Sequence, residues 1–468
     1  MLATVDLNYF LPPGAIATHP TADRSAARLL VISRSDPTLR HDARVVELPE
    51  FLRSGDCLIL NTTRVLPARL AGYRADTGGR VGGLYLRSAT ETEWSASHGV
   101  RAWVVLLHGK TLRPGVRVCL FANGGDGADI RGGFEGAQAS STPFQLSLLR
   151  RHEDETGGWV AALLDSKGRP TNISDQEMLE AVGLTPLPPY IFKARREAAL
   201  RRGDVAGEGW KGPGGGGDAL LGAAGQGKDA RVTTVRGLDA GAAKVASETD
   251  AGSAGGGELR LPQALVEPDE KADRLRYQTV YAGELGSVAA PTAGLHLTPE
   301  LMERLVAKGI SRGDVLLHVG TGTFKSVETE FVEQHPMHSE WCSMPAATRD
   351  LILATRGGTG VPRGRVMCVG TTSARTVEAF ATRPDLFEQM PGGGARAEME
   401  TRLLITPGYD LKWMDGLLTN FHLPRSTLLA MVGSLLPGGV AQLKEHYAYA
   451  IEQNYRFYSY GDAMLVLP

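Results

Sequence analysis

Val366-Met367-Cys368-Val369-Gly370-Thr371-Thr372-Ser373-Ala374-Arg375 passes without a spacer from four apolar residues into small polar ones. That order reads as a buried strand, a tight turn at glycine and the first turn of a helix. Such a helix start offers free N–H groups, which serve either an anion or ordinary capping. The same grammar recurs. Leu58-Ile59-Leu60 ends in Asn61-Thr62-Thr63-Arg64, and Val288-Ala289-Ala290 ends in Pro291-Thr292-Ala293-Gly294-Leu295-His296. Val315-Leu316-Leu317 runs into His318-Val319-Gly320-Thr321-Gly322-Thr323, and Leu417-Leu418 into Thr419-Asn420-Phe421-His422. In open α/β sheets ligands sit beyond the carboxyl ends of the strands. Five such ends are therefore expected to line one cleft.

Elsewhere the pattern changes. From about Leu66 to Asp165 short β-type runs alternate with turns: Gly83 to Arg87, Val100 to His108, Val116 to Phe121, Phe144 to Leu149 and Trp159 to Leu164. Runs of that length and spacing predict a small barrel or sandwich. Residues 298–308 predict a helix, with Thr298 as N-cap, Pro299 at the first position and Gly309 at the end. A last helix over about 440–452 should pack Leu443, Tyr447, Ala450 and Ile451 on the sheet. The fold class is thus α/β, a large α/β domain built from both ends of the chain (1–65 and 186–468) with a small antiparallel β-barrel inserted at 66–185. Within 203–257 the composition turns to Gly and Ala, including Gly214 to Gly217 and Gly255 to Gly257. Too few large apolar side chains remain there to build a core, so that stretch reads as a flexible surface insertion.

Composition limits the function. Of 468 residues, 22% are charged and 42% apolar, with 50 basic against 52 acidic side chains, a net charge of −2. An RNA partner would have to be held by a local patch, because no overall basic field exists. Four scattered cysteines without a Cys-x-x-Cys pair argue against a disulfide framework or zinc knuckle. No apolar run reaches the roughly 18 residues of a membrane span, and residues 1–9 lack the pattern of a secretory signal. The expected location is the cytoplasm.

Among individual residues, Gly320 to Thr323 fits a tight turn or an anion loop, and His318 a core or a functional histidine. His296 follows a Pro-Thr-Ala-Gly turn, an unusual core position. His335, His338 and Glu340 invite a metal reading, but their spacing is not the helical His-x-x-x-His of a hydrolytic zinc site, a third ligand would have to come from afar, and Pro336 disfavours a continuous helix, so hydrogen-bonding, acid/base or structural roles are expected instead. Tyr455 to Asp462 crowds three tyrosines beside Arg456, which suits either base stacking or pinning the terminus to the sheet. Arg195, Arg196, Arg201 and Arg202 read as a solvated basic helix face.

Eight strings occur in one order: Asn61 to Leu70, Arg276 to Tyr281, Val288 to His296, His318 to Phe324, Met337 to Glu340, Gly370 to Arg375, Thr419 to Thr427 and Tyr455 to Leu465. In that order and spacing the chain resembles the S-adenosylmethionine:tRNA ribosyltransferase-isomerase family of queuosine biosynthesis. Departures are local: Leu297 stands where the family usually has Phe, and the segment after Leu429 is less Met-rich. The resemblance implies transfer and isomerisation of the ribosyl group of S-adenosylmethionine onto 7-aminomethyl-7-deazaguanine at the tRNA wobble position. Epoxyqueuosine-tRNA forms, and adenine and methionine leave. S-adenosylmethionine is then a consumed substrate, no cofactor or metal is expected, and the partner is the anticodon stem-loop of tRNA, met by a monomer.

The sulfonium acidifies the neighbouring C5′–H, so the reaction needs a base within hydrogen-bond reach. His296, His318 and His422 are the candidates, unranked. Glu340 or Asp462 would deprotonate the attacking amine. Thr292, Gly294, Gly320, Gly322, Thr323, Gly370, Thr371, Thr372, Ser373, Arg375 and Asn420 are nominated for S-adenosylmethionine. Asn61, Arg64, Arg69, Arg276, Tyr277 and Arg456 are nominated for tRNA.

Overall fold

Uninterrupted apolar runs become strands covered on both faces, and here they form the middle of one large sheet. A computed structural model describes residues 1–94, 100–123, 143–153, 157–202, 270–320, 326–357, 363–388 and 396–468. The nominated Gly322 and Thr323, the Gly/Ala-rich stretch at 203–257 and the side chains of Arg196, Arg201 and Arg202 lie outside the described residues.

The chain opens with β1 (Arg28–Ser33), β2 (Arg40–Arg44), β3 (Cys57–Asn61) and the two-residue β4 (Arg64–Val65). Six strands follow: β5 (Arg69–Arg74), β6 (Arg80–Ser88), β7 (Ala102–Gly109), β8 (Arg117–Leu120), β9 (Phe144–Arg151) and β10 (Gly158–Asp165). The rest are β11 (Leu285–Ser287), β12 (Ser311–Leu317), β13 (Glu340–Pro345), β14 (Val366–Val369), β15 (Arg396–Thr401), β16 (Gly416–Asn420) and β17 (Ala463–Leu467).

Nine of these form a sheet in the order β15-β13-β12-β3-β14-β16-β17-β1-β2. Its centre, β12-β3-β14-β16, is parallel, and every residue of β3, β14 and β16 is buried. Alternate side chains feed two cores. Cys57, Ile59, Val366, Cys368 and Leu417 meet Ile352, Val377, Phe380, Leu429, Leu443 and Tyr447 from helices on one face. On the other face, Leu58, Leu60, Met367, Val369 and Leu418 meet Leu301 and Leu305. Those two leucines come from the helix Pro299–Ala307, whose N-cap Thr298 accepts from the Leu301 amide at 3.2 Å. Gly439–Glu452 is the last helix, and it buries Leu443, Tyr447 and Ala450.

Strands β10-β7-β6-β5-β8-β9 close into an antiparallel barrel around Trp103, Leu146 and Trp159. Closure removes the exposed edges that so short a sheet would otherwise present. Two details differ from the sequence reading. β5 is an additional barrel strand, its alternation hidden by Arg69, Gly72 and Arg74. The apolar run at 288–290 is not a sheet strand: β11 stops at Ser287 and pairs only with β4. After it, Thr292–His296 coils into a 3-10 helix.

Candidate active site

The carboxyl ends of β12, β14 and β16 open into one cleft, a hollow of about 810 Å³ that is open to solvent at its mouth. Its walls are Ala289 to Ala293, Val319, Gly370 to Thr372, Thr419 to Leu423 and the aromatic pair Tyr190 and Tyr458. Gly370 has φ +87°, a left-handed turn open to glycine at no steric cost. That turn points the helix Thr371–Ala381 so that its first residues, Thr371 and Thr372, face the cleft. The opening N–H groups of a helix have no partner within it, so they are available to an anionic group. Asn61, at the end of β3, lies beneath. Its amide donates to Leu317 O and Thr372 Oγ1, both at 3.1 Å, and ties two strand ends together.

Of the candidate bases, His422 lines the cleft and is half-buried. Its Nε2 lies 2.8 Å from the Thr419 hydroxyl. The backbone is fixed as well: the His422 N–H donates to Tyr447 Oη at 3.0 Å, and the Tyr9 hydroxyl donates to the His422 carbonyl. Burial pulls the imidazole down to about 3, so it is neutral near pH 7, with Nε2 able to accept the Thr419 hydroxyl proton.

His296 is buried behind the cleft wall, where its Nε2 lies 3.1 Å from Asn420 Nδ2. Asn420 Oδ1 in turn accepts from the Thr292 hydroxyl at 2.9 Å. Burial lowers His296 to about 4, only partly offset by the nearby Asp462 carboxylate. His318 stands apart from the cleft lining, its ring 4.6 Å from that of Trp341. Its pKa is lowered by burial, against the pull of Glu284.

The nominated carboxylates are already engaged. Glu340 is buried, pairs with Arg375 at 2.6 Å and accepts from the Gly320 amide at 3.2 Å. Arg375 keeps Nε and Nη2 buried without a hydrogen-bond partner among the described residues. Its pKa is lowered by burial, with Glu340 pulling the other way. Asp462 accepts from the Arg28 amide at 3.1 Å, the Arg456 amide at 2.8 Å and the Arg456 guanidinium at 3.2 Å. It holds the C-terminal turn rather than opening onto the cleft.

Other nominated residues serve the framework. The Ser373 hydroxyl donates to Val369 O at 2.8 Å. Gly294 permits close packing, since a Cβ there would fall 1.8 Å from the Tyr281 hydroxyl. Asn61 and Tyr277 are fully buried, which denies them to a macromolecule. Arg69 pairs with Glu270 at 3.6 Å and lies over the Phe192 ring. Arg276 donates to the carbonyls of Thr21 and Ala22. Only Arg64 of the six nominated for tRNA is exposed. Arg195 is not part of a solvated face, because it grips the buried Asp273 through two bonds of 2.6 and 2.7 Å. Among the described residues, no group of three or more His, Cys, Asp or Glu could hold a metal.

The sequence reading passed over Tyr190. Its ring lies 4.6 Å from that of Tyr458, tilted by 33°, and its hydroxyl shares a hydrogen bond with Ser459. A signal was present: Leu187-Pro188-Pro189-Tyr190 brings an aromatic out of an extended proline run at a helix start. Tyr458 was seen only as one of a crowd. Its neighbours Tyr455 and Tyr460 pin the terminus by burial, whereas Tyr458, at φ +74°, turns toward the cleft.

Residues 4–203 and 229–466 match the family described as queuosine biosynthesis protein. The chain belongs to the queuosine biosynthesis protein family. Among curated members, an S-adenosylmethionine:tRNA ribosyltransferase-isomerase of Phenylobacterium zucineum is 36% identical over 98% of both chains. One of Synechococcus elongatus is 36% identical over 98% of this chain and 95% of its own. Another, of Moorella thermoacetica, is 33% identical over 99% of both. A solved S-adenosylmethionine tRNA ribosyltransferase from Thermotoga maritima, 23% identical, covers 99% of this chain and is itself covered fully, at a TM-score of 0.41. That is too loose a superposition to carry an argument. Within the queuosine family match, both the cleft and the barrel fall inside the shared region.

Proposed function

We propose that this chain is an S-adenosylmethionine:tRNA ribosyltransferase-isomerase of queuosine biosynthesis. It moves the ribosyl part of S-adenosylmethionine onto the 7-aminomethyl-7-deazaguanine of tRNA and releases adenine and methionine. The observation that carries this reading is the near-complete coverage, in both directions, by relatives of that name at 33 to 36% identity. The cleft supports it chemically. The Thr371 and Thr372 amides suit the methionine carboxylate, and the Tyr190 and Tyr458 rings offer a flat wall to the departing adenine. The Thr419 and His422 pair stands where a proton leaving C5′ could be received, the hydroxyl passing its own proton to Nε2. Loss of that proton leaves a carbanion stabilised by the sulfonium, and the electron pair is passed on as the sugar opens and adenine leaves. Exposed Arg64, just past the end of β3, suits an RNA phosphate.

In this reading no metal or cofactor takes part, and the protein works as a cytoplasmic monomer on the anticodon stem-loop. No described helix is long and apolar enough to cross a membrane. The test supplies ribose-labelled S-adenosylmethionine and tRNA bearing the aminomethyl-deazaguanine. Label in tRNA with free adenine and methionine is the expected result. S-adenosylhomocysteine would mean methyl transfer instead, and tRNA binding without consumption of S-adenosylmethionine would mean an RNA-binding protein.

A further inference from the structure

We propose that Arg24 and Arg276 form a seat for one phosphate of the RNA backbone, in a notch beside the cleft rather than within it. The proposal rests on the tRNA reading of the substrate.

The two arginines reach across to each other's segment. Arg276 donates to the carbonyls of Thr21 and Ala22, just ahead of Arg24. Arg24 donates to Leu275 O at 3.0 Å and Gln278 O at 2.8 Å, on either side of Arg276, and to Leu295 O at 3.2 Å. The exchange holds two half-buried guanidinium groups at one notch. Like charges so placed repel, and a carbonyl oxygen orients a guanidinium without cancelling its charge. These five bonds use five of the ten N–H donors that two arginines carry. The other five have no partner among the described residues.

No carboxylate lines the notch. The acidic groups around it are committed elsewhere. Asp23 accepts from the Ser25 amide at 2.9 Å and the Ser25 hydroxyl at 3.0 Å, Asp273 is gripped by Arg195, and Asp462 holds Arg456 and the Arg28 amide. Burial, and after it the charge of Arg276, lowers the Arg24 pKa, with only Tyr460 pulling the other way. A chain of net charge −2 thus keeps two uncompensated positive charges at one point. That is the local patch an RNA partner requires in the absence of an overall basic field.

The notch adjoins the cleft. Ser459 lines both, and His296, on the notch, has its Nε2 3.1 Å from Asn420 Nδ2 on the cleft wall. One layer of side chains separates the two hollows. A nucleotide whose base enters the cleft keeps its phosphates outside on the sugar, where the backbone has to run past this wall. The non-bridging oxygens of a phosphate accept several N–H bonds at once, which a pair of guanidinium groups supplies. S-adenosylmethionine brings a rival oxyanion, its methionine carboxylate, and the test separates the two.

Arg276→Gln removes one charge and should weaken tRNA binding about tenfold, with the salt slope reduced by about one. Calorimetric affinity for S-adenosylmethionine should hold. Anticodon stem-loops carrying a neutral methylphosphonate at one linkage at a time near the wobble nucleotide then locate the contact. On the wild type one linkage should cost about tenfold, and on Arg276→Gln the same linkage should cost less than about twofold, because its partner is gone. Arg24→Gln repeats the cycle from the other side should Arg276→Gln not fold, and Arg276→Lys, which keeps the charge, should keep the salt slope.

The seat is overturned if no linkage loses its effect in the variants, or if the melting temperature falls while the salt slope stays. It is overturned too if affinity for S-adenosylmethionine drops with tRNA binding unmoved, which would give the pair to the methionine carboxylate. A wild type that does not bind tRNA overturns the seat and the proposed reaction together. Ribosyl transfer to tRNA with an unmoved linkage scan overturns the seat alone.

Discussion

The barrel and the rim of the large sheet use polar side chains in opposite ways. In the barrel, Asp175 accepts from Tyr85 at 3.1 Å, Trp103 at 2.9 Å, Arg101 at 2.6 Å and Ser88, and Glu93 gathers Arg87 and His152. Among the described residues, the buried side-chain donors there are met by partners inside the fold except Trp159 Nε1 and Arg69 Nε. At the rim the amides of Thr371 and Thr372 open a helix toward the cleft, and behind it Arg375 Nε and Nη2 are buried without hydrogen-bond partners among the described residues. Unpaired polar groups cost stability. Helix-start amides that open onto a cleft stay available to a ligand, whereas paired groups are committed to the cohesion of the fold.

The contrast fails first if the rim proves dispensable. Replacing His422 with Ala should lower turnover by roughly 10²- to 10⁴-fold, the span of a lost general base, while S-adenosylmethionine affinity changes little. Adenine release and calorimetry measure the two, and undiminished turnover would remove His422 and Thr419 from the chemistry. The barrel should respond in the other sense. Asp175→Ala strands four donors, one of them on the fully buried Trp103, and should cost about 3 kcal/mol of stability. Turnover of the folded fraction at 25 °C should not change. A large kinetic defect without a drop in melting temperature would blur the distinction.

Acid sharpens it. His296, His422 and His446, all in the sheet half, are held down by burial to about 4, 3 and 4, against about 6.5 in an unfolded chain. Between those values the unfolded state binds more protons, so stability rises with pH there. It should be level above about pH 7 and fall on acidification from 6.5 toward 4, by up to about 1.4 kcal/mol per pH unit for each histidine. Urea titrations at pH 7 and 4.5 measure this. His446→Gln, which can still accept from Arg40, should flatten the slope; an unchanged slope would acquit that residue. The smallest effect is expected at the surface. Arg64→Gln should weaken tRNA binding with a salt slope reduced by about one, leaving KM for S-adenosylmethionine unchanged.

Strand ends were legible in the sequence because a parallel strand buried on both faces leaves an unbroken apolar string, and its end is marked by the first polar residue. Val369 to Gly370 is of that kind, and in β16 the first polar residues, Thr419 and Asn420, are the last two of the strand. Residues 288–290 imitate the pattern, yet what makes them apolar is packing against the barrel and the cleft wall, which a linear string does not disclose. The site was legible only in part for a similar reason. Thr371, Thr372, Asn420 and His422 lie on the strand ends themselves, so finding the ends found them. Tyr190 reaches the same cleft from beyond the barrel, and its placement depends on a tertiary approach with no periodic trace. Conversely, Asn61, Ser373, Tyr277 and Asp462 carry the right chemistry and sit in the right motifs. Whether such a group faces inward or outward is decided by partners hundreds of residues away, as Arg28 is for Asp462.

The last strand, β17, does not lie at an edge but between β16 and β1. On the ribosome this imposes a schedule. The barrel, made of contiguous segments between Arg69 and Asp165, can close early, while β1 and β2 wait as a separate hairpin and β16 emerges with one side bare. The sheet becomes continuous only once Ala463–Leu467 arrive to join the two pieces. Because Tyr458 and Ser459 precede that strand and line the cleft, the binding site is completed by the same late event, so a chain cut short before Ala463 would carry a finished barrel and no working pocket.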